Sequence, residues 1–355
     1  MRWHLVVRLS LVLLVLIVGL AVVGYYSPAE AEVINLKFST DSPGPPNPYE
    51  VGHEWFLKEV ENRSNGRVKF ERFYSQTLNP SREALFSVSK GVADMAQLVT
   101  GYWGGQLALS SVTTLPGMTK DMWAAMKASE ELHQLKPLVD ELTKVNMKYM
   151  AANGLSDYRI LSTKPVRTLA DLKGLRVRAM GEQADVLKEL GAAPVGMTAP
   201  EVYQALQRGT IDAVAAPPVF IGVFKFYEVA KYYSMLGVGA SAFLFPINLN
   251  TWNKLPKDIQ KIFEEVAKES VDEMYRAYHI KGNLDILNNV MIPAGVRVIE
   301  ASAADSAKIK EISSQTVWKN WAREKEAAGL PGNEILSKWV EYVAKWEPKN
   351  PLGKQ

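Results

Sequence analysis

The chain has 355 residues, of which 47% are hydrophobic and 22% are charged, and its formal net charge is +3. This length exceeds one typical domain, and the composition is that of a globular protein rather than a disordered one. A small net charge, with no run of five or more basic residues, gives no support to a nucleic-acid-binding function.

The first 31 residues predict a secretion signal. Arg2 and Arg8 precede an apolar run over 11–23, and Ala29-Glu30-Ala31 supplies the small residues of a cleavage site. The run is shorter than the ~20 residues of a membrane-spanning helix, and an uncleaved anchor is the alternative. We expect cleavage after Ala31 and a periplasmic mature protein that is not embedded in the membrane. The absence of cysteine is consistent with a free periplasmic protein, because it leaves neither disulfides nor a lipid-acceptor thiol.

From residue 33 the sequence alternates strand-like and helix-like segments, the pattern of an α/β protein. Strands are predicted over 34–39, 68–73 and 94–99, and helices over 49–62 and 81–90. This order predicts a mostly parallel sheet, in which ligands bind at the carboxyl ends of the strands.

The same design repeats further along the chain. Strands are predicted over 148–152, 175–178 and 213–215, and helices over 182–191 and 199–209. A second sheet of similar construction therefore follows the first, and we predict two α/β lobes.

Three later segments complete the chain. The apolar stretch 243–249 predicts a strand that crosses back between the lobes. The segment 256–289 has helical periodicity and is too long for one compact lobe, so we predict a helix that braces both. The remainder, 303–346, is predicted to be helical with a break at 329–332.

Clustered residues for enzymatic or metal chemistry are scarce. After the signal the chain has only His53, His133 and His279, which lie far apart. We interpret His53, with Glu50 and Glu54 nearby, as part of a solvated helix face rather than a metal site. The sequence predicts no metal, no cofactor and no enzymatic activity. A periplasmic enzyme remains the minority alternative, because carboxylates need only meet in space.

Two blocks carry the most specific pattern: Asp-Leu-Lys-Gly-Leu-Arg-Val-Arg over 171–178, and Glu-Val-Tyr-Gln-Ala-Leu-Gln-Arg-Gly-Thr-Ile-Asp over 201–212. In the first, Arg176 and Arg178 point to the same face of a predicted strand, and Arg178 is nearer its carboxyl tip. A guanidinium there offers a planar fork to a carboxylate, and each charge-assisted hydrogen bond contributes roughly 1.5 to 3 kcal/mol. Solvated surface charge is the alternative that spacing alone leaves open.

The chain resembles the periplasmic solute-binding subunits of tripartite ATP-independent periplasmic (TRAP) transporters, of the DctP type. The resemblance runs from Asn35 to Pro256 and is most specific in the two blocks above. It implies an α/β, two-lobed periplasmic-binding-protein fold, with a mostly parallel sheet flanked by helices in each lobe, a long bracing helix and hinged closure. In this family the arginine at the position of Arg178 binds the ligand carboxylate. The implied partners are a small organic acid and the TRAP membrane subunits.

The resemblance also places the lobes. We expect lobe I to comprise 33–154 and about 246–285, lobe II to comprise 155–245 and about 286–355, and the ligand cleft to lie between them. A binding subunit of another transporter class and a sensory binding protein are the alternatives within the same function class.

Three positions depart from the better-known family members. Ala216 stands where many members have asparagine, Ala199 stands at a commonly aromatic position, and Val99 stands at an acidic one. These departures disfavour a polar, sialic-acid-type pocket. A pocket with one arginine and apolar walls suits a monocarboxylate with an apolar body.

We predict the other pocket residues from the loops that follow strands. Besides Arg178, the ligand-binding candidates are Thr100, Tyr102 and Trp103 in the first lobe and Met180, Pro217, Pro218 and Phe220 in the second. Tyrosine and tryptophan can stack on a ligand and also donate a hydrogen bond. Burial in the core or between the lobes is the alternative for each. Phe243 and Phe245, on the crossing strand, are assigned to the core.

Overall fold

A computed structural model describes residues 32–351 of the chain. The predicted secretion signal over 1–31 lies outside the described residues. Within the described part, no helix is both long and apolar enough to cross a membrane.

The strands of the described residues form two sheets. In chain order they are β1 (Ile34–Ser39), β2 (Val68–Phe73), β3 (Met95–Ala96), β4 (Met147–Leu155), β5 (Arg159–Ser162), β6 (Arg176–Arg178), β7 (Ala193–Val195), β8 (Ala213–Ala216), β9 (Tyr232–Gly237), β10 (Ser241–Asn248) and β11 (Arg297–Ile299). The first sheet has the order β2-β1-β3-β10-β4, and the second has the order β11-β9-β5-β8-β6-β7.

Each sheet contains one strand that runs against the others. In the first sheet this strand is β10, which pairs antiparallel with β3 and β4. In the second it is β5, which pairs antiparallel with β8 and β9. The remaining pairings are parallel, which confirms the prediction of two mostly parallel sheets. The carboxyl ends of most strands therefore meet at one edge of each sheet.

Helices flank the two sheets. They are α1 (Pro48–Arg63), α2 (Ala84–Ser89), α3 (Met122–Leu132), α4 (Lys136–Lys144), α5 (Glu182–Glu189), α6 (Ala199–Gln207), α7 (Pro218–Val223), α8 (Leu249–Lys254), α9 (Lys257–Tyr275), α10 (Ala303–Ile312), α11 (Trp318–Ala327) and α12 (Gly332–Trp346). At some of these helices, hydrogen bonds between neighbouring residues fix the position where the helix begins. At α6, Glu201 accepts a hydrogen bond from the backbone N–H of Thr198 at 2.6 Å, as one half of a capping box.

A long helix braces the two lobes, as predicted. Helix α9 continues through the π-helical segments Arg276–Leu284 and Leu287–Met291 without leaving the helical path. Its first part packs against α1 and β4 beside the first sheet, and its later part packs against α7 beside the second. Because one rigid element contacts both lobes, it links their positions.

Two short connections cross between the sheets side by side, one from β4 to β5 and one from β9 to β10. The backbone N–H of Tyr158 donates to the carbonyl of Gly239 at 3.1 Å, and that of Val238 donates to the carbonyl of Tyr158 at 2.8 Å. The N–H of Gly239 donates to Asp157 Oδ1 at 2.9 Å. Gly239 has a φ of +103°, and a Cβ there would lie 2.9 Å from the backbone nitrogen of Gly117, so glycine is required.

The chain contributes to each sheet in two stretches. The first sheet takes its strands from 34–155 and 241–248, and the second takes its strands from 159–237 and 297–299. Near the carboxyl end of the described residues, α12 packs against α3, beside the first sheet. The expected lobe boundaries near residues 154, 245 and 285 stay a prediction.

His53 is buried, so the prediction of a solvated helix face is wrong. Its Nδ1 lies 3.2 Å from Glu50 Oε2, its Nε2 lies 2.7 Å from Asn153 Nδ2, and its side chain is 0% exposed. This face of α1 packs against Phe245 and against Tyr278 of the bracing helix. Across residues 32–351, no group of three or more His, Cys, Asp or Glu side chains could hold a metal ion.

Candidate functional site

A cavity lies between the two sheets, where the carboxyl ends of their strands face each other. It holds about 400 Å³ of space between protein atoms, part of it open to solvent. The part of this space that is open to the centre of a water molecule is about 30 Å³. Its lining residues are Tyr49, Val99, Gly101, Tyr102, Thr114, Leu155, Tyr158, Arg178, Met180, Gln183, Phe220, Ser241 and Phe243.

The lining combines one charged side chain with aromatic, aliphatic and neutral polar groups. Among these residues only Arg178 carries a formal charge. The aromatic rings come from both lobes, because Tyr49 and Tyr102 precede the first crossing while Phe220 belongs to α7 beside the second sheet. A ligand in this cavity would meet a single cation surrounded by largely apolar walls.

Arg178 is the last residue of β6, and only 4% of it is exposed. Its Nε donates to the carbonyl oxygen of Met197 at 3.0 Å, and its Nη2 donates to the hydroxyl of Tyr102 at 3.2 Å. The guanidinium carbon lies 5.9 Å from the ring centroid of Phe220. Within residues 32–351 its Nη1 makes no hydrogen bond, and no carboxylate lies within ion-pair distance.

Burial without a counter-ion is costly for a guanidinium, because the charge loses its hydration. The neighbouring phenol does not supply a negative charge. Burial raises the pKa of Tyr102 to about 12, so its hydroxyl is neutral at pH 7. The cavity therefore favours a ligand that brings an anionic group to Arg178.

An acidic residue, Asp41, lies close enough to Arg178 for the arginine charge to affect its pKa. Burial raises the pKa of Asp41 above its usual 3.8, while a hydrogen bond from Ser81 and the positive charge of Arg178 act in the opposite direction. Asp41 does not line the main cavity but belongs to a smaller one that adjoins it.

The other arginine of this strand is paired within the protein. Asp212 Oδ2 accepts from the backbone N–H and the Nε of Arg176 at 3.0 and 2.8 Å, and Oδ1 accepts from Nη2 at 2.8 Å. Arg176 and Asp212 thus join β6 to the segment that precedes β8. Arg176 and Asp212, which belong to the two sequence blocks 171–178 and 201–212, therefore have a structural role.

Four of the eight candidate residues named in the sequence analysis line the main cavity. They are Arg178, Tyr102, Met180 and Phe220. They come from the loops and strand ends after β3, β6 and β8, which the fold brings to one place.

The other four candidates lie close by but outside the main cavity. Thr100 is fully buried, and its Oγ1 has no hydrogen-bond partner. Trp103 lines the adjoining smaller cavity and contacts Tyr102 edge to face. Pro217 and Pro218 are buried at the start of α7, where they set the direction of the turn that carries Phe220.

Sequence reasoning missed several lining residues because they do not follow parallel strands. Tyr49 comes from α1, and Tyr158 comes from the first crossing segment. Ser241 and Phe243 begin β10, whose amino end lies at this edge because the strand is antiparallel. Phe243 is buried in the core, as predicted, and it also lines the cavity.

The three positions that depart from the family pattern fall in different places. Val99 lines the main cavity, where its apolar side chain replaces the expected acid. Ala199 and Ala216 are almost fully buried and do not line the cavity.

The lobes touch beside the cavity. Gln183 Nε2, from α5, donates to Ser241 Oγ, from β10, at 2.9 Å. A Cβ placed on Gly101 would lie 3.3 Å from the backbone nitrogen of Gly181, so the two backbones are close together. These contacts describe a closed arrangement of the two lobes around the cavity.

Two α/β lobes that close over a cavity of this kind define a solute-binding protein. The family model described as "Bacterial extracellular solute-binding protein, family 7", or DctP, matches residues 40–325. The chain therefore belongs to this family, and the predicted identification as a DctP-type binding subunit of TRAP transporters is confirmed.

Relatives of known sequence or structure agree with this assignment. A solute-binding protein of Albidiferax ferrireducens is 29% identical over 283 residues, which cover 76% of this chain and 80% of the relative. A TRAP solute-binding protein from Rhodoferax ferrireducens, solved with copurified benzoate, has a TM-score of 0.82 at 24% identity and covers 89% of this chain and 99% of its own. One from Desulfovibrio salexigens, solved with orotic acid, has a TM-score of 0.77 at 27% identity, with 88% and 99% covered. These similarities confirm the two-lobed fold, and the names of the relatives imply a binding role rather than an enzymatic one.

Proposed function

We propose that this protein captures a monocarboxylic acid with an apolar body in the periplasm and delivers it, chemically unchanged, to TRAP membrane subunits. The observation that carries the proposal is Arg178, the single charged residue of the cavity lining, which is buried and has no carboxylate partner among the described residues. The ligand carboxylate supplies the missing anion.

Binding is expected to couple to closure of the lobes. Arg178 comes from one lobe, and Tyr102, which accepts its hydrogen bond, comes from the other. A ligand shifts the balance between open and closed forms only by its different affinity for the two. An ion pair that is fully formed and shielded from water only in the closed form provides that difference.

The remaining walls favour an apolar ligand body. Val99, Leu155, Met180 and the rings of Phe220 and Phe243 surround the space next to Arg178. The benzoate in the Rhodoferax ferrireducens structure is a ligand of this kind and supports the proposal. A micromolar dissociation constant corresponds to about −8 kcal/mol, which one guanidinium fork and a modest apolar contact can supply.

The proposal can be tested by a thermal-shift screen of the mature protein against a library of mono- and dicarboxylates. We expect at least one monocarboxylate to raise the unfolding midpoint of the wild type and of Arg176→Ala, but not of Arg178→Ala. Arg176 is a matched control because it lies two residues away on the same strand. Recovery of the bound acid by mass spectrometry then checks that it is unchanged. The proposal is wrong if no acid shifts the wild type or if Arg178→Ala responds equally.

A further inference from the structure

A small side chamber adjoins the main cavity and shares Val99 and Tyr102 with it. Its other lining residues belong to the first lobe and are mostly polar: Ser39, Thr40, Asp41, Asn79, Ser81, Ala84, Gln97 and Trp103. Binding of a carboxylate at Arg178 does not account for this polar lining.

One buried hydrogen-bond acceptor in the side chamber has no donor among the described residues, and an acidic side chain lines the same chamber. Gln97 is 7% exposed, and its Nε2 donates to the hydroxyl of Tyr49, while its buried Oε1 has no partner within 32–351. Asp41, which is partly buried, accepts through Oδ2 from Ser81 Oγ at 2.9 Å. Buried polar atoms are nearly always paired, so Gln97 Oε1 calls for a donor that the described residues do not supply.

The side-chain donors around the chamber are already in use. Thr40 Oγ1 donates to Glu50 Oε1 at 3.0 Å, and Ser39 Oγ donates to Asn79 Oδ1 at 2.9 Å. The indole N–H of Trp103 donates to a backbone carbonyl at 3.3 Å. The chamber therefore presents acceptors to whatever enters it.

The two cavities also differ in charge. Arg178 gives the main cavity a positive charge, and Asp41 gives the side chamber an acidic group. A ligand with a carboxylate alone complements only the first. A ligand with a carboxylate and a hydrogen-bond donor complements both, because the donor can bond to Gln97 Oε1 and to the Asp41 carboxylate.

We propose that the side chamber is a second ligand subsite, and that the acid carries a hydroxyl or a protonated amine that donates to Asp41 and Gln97 while its carboxylate binds Arg178. This inference rests on the proposed function and narrows it to acids with a donor group away from the carboxylate. Asp41 and Gln97 are then the residues that determine specificity.

The test is calorimetric titration of the mature protein with benzoate and with its 2-, 3- and 4-hydroxy and aminomethyl derivatives. Benzoate is the matched control ligand because it lacks the donor. We expect at least one derivative to bind the wild type about tenfold more tightly than benzoate. A hydroxyl or an amine advantage identifies which donor the subsite takes.

The variants Asp41→Asn and Gln97→Met separate a subsite from a structural role. In Asp41→Asn the favoured derivative should bind about tenfold more weakly, while benzoate binds as tightly as before or more tightly, because a negative group near Arg178 is gone. Gln97→Met should weaken the derivative by more than it weakens benzoate, because benzoate loses only the support that Gln97 gives to Tyr49.

Equal weakening of both ligands in Asp41→Asn, or the absence of any derivative that exceeds benzoate, overturns the subsite and leaves the carboxylate site intact. If neither benzoate nor any derivative binds, or if binding is the same in Arg178→Ala, the proposed function fails and the subsite fails with it.

Discussion

The two ends of strand β6 carry the same side chain in opposite surroundings. At the amino end, the side chain of Arg176 is 45% exposed and donates two hydrogen bonds to the carboxylate of Asp212. At the carboxyl end, Arg178 is 4% exposed and meets a carbonyl, a phenol and an aromatic ring. Sequence spacing treats the two residues alike, whereas their surroundings differ in charge.

This difference is the basis for proposing Arg178, and not Arg176, as the arginine that binds the ligand. The Nε and Nη2 of Arg176 bond to an internal carboxylate, which also balances its positive charge. Arg178 keeps its positive charge, and its Nη1 has no hydrogen-bond partner in the part of the chain that the structure describes. Burying this charge without a counter-ion raises the free energy of the protein, and an anionic ligand would lower it again.

The largest expected effect comes from removing the charge at the carboxyl end. Arg178→Gln should weaken binding of the best monocarboxylate by at least about 100-fold, because the charge-assisted hydrogen bonds to its carboxylate are lost. Calorimetric titration measures this effect. Arg176→Gln is the matched control and should bind within about threefold of the wild type. Comparable losses in the two variants would contradict the contrast between the two ends of β6.

A smaller effect is expected when the charge is kept and the fork is removed. Arg178→Lys should bind the same acid roughly tenfold to 100-fold more weakly than the wild type, because an ammonium cannot make the planar two-point contact. Titration of Arg178→Lys beside Arg178→Gln measures the separate contributions of charge and geometry. If lysine restores full affinity, the binding depends on charge alone.

Closure can be tested at the place where the lobes approach. Gly101→Val should weaken binding by about tenfold, because its side chain would press against the backbone of Gly181 only when the lobes are closed. Gly104→Val is the matched control, since a Cβ at Gly104 meets no atom within 4 Å. Titration gives the affinities, and small-angle X-ray scattering with and without the acid shows whether Gly101→Val fails to contract. If Gly101→Val contracts fully with the acid, the approach of residue 101 to Gly181 does not limit closure.

The smallest effect is expected at the amino end of β6 and concerns stability. The hydrogen bonds from Arg176 lower the pKa of Asp212 below its usual 3.8. A carboxyl with a lowered pKa stabilises the fold above its usual pKa, and this contribution is lost as the pH falls through the lowered value. Asp212→Asn should therefore unfold slightly more easily than the wild type at pH 7 and equally easily in strong acid, with unchanged ligand affinity. Urea unfolding at several pH values measures this, and a stability difference that does not depend on pH would be evidence against the ion pair.

The sequence was sufficient for the parts of the fold that follow from local periodicity and family pattern. It predicted the two mostly parallel sheets, the long helix and the position of Arg178 at a strand end. It did not predict the burial of His53, because amphipathic spacing does not show that both β10 and the bracing helix cover that face of α1. It also missed Tyr158 and Ser241, which reach the cavity only because two crossing segments pair in space. Those contacts are non-local and have no signal in a single sequence.

The central claim is that Arg178 binds the carboxylate of the ligand between the closed lobes. The most direct measurement is a crystal structure of the protein with the acid that gives the largest thermal shift. We predict both carboxylate oxygens about 2.7 to 2.9 Å from guanidinium nitrogens of Arg178 and the apolar body against Phe220 and Phe243. A ligand whose carboxylate faces another group, with Arg178 left unpaired, would contradict the account.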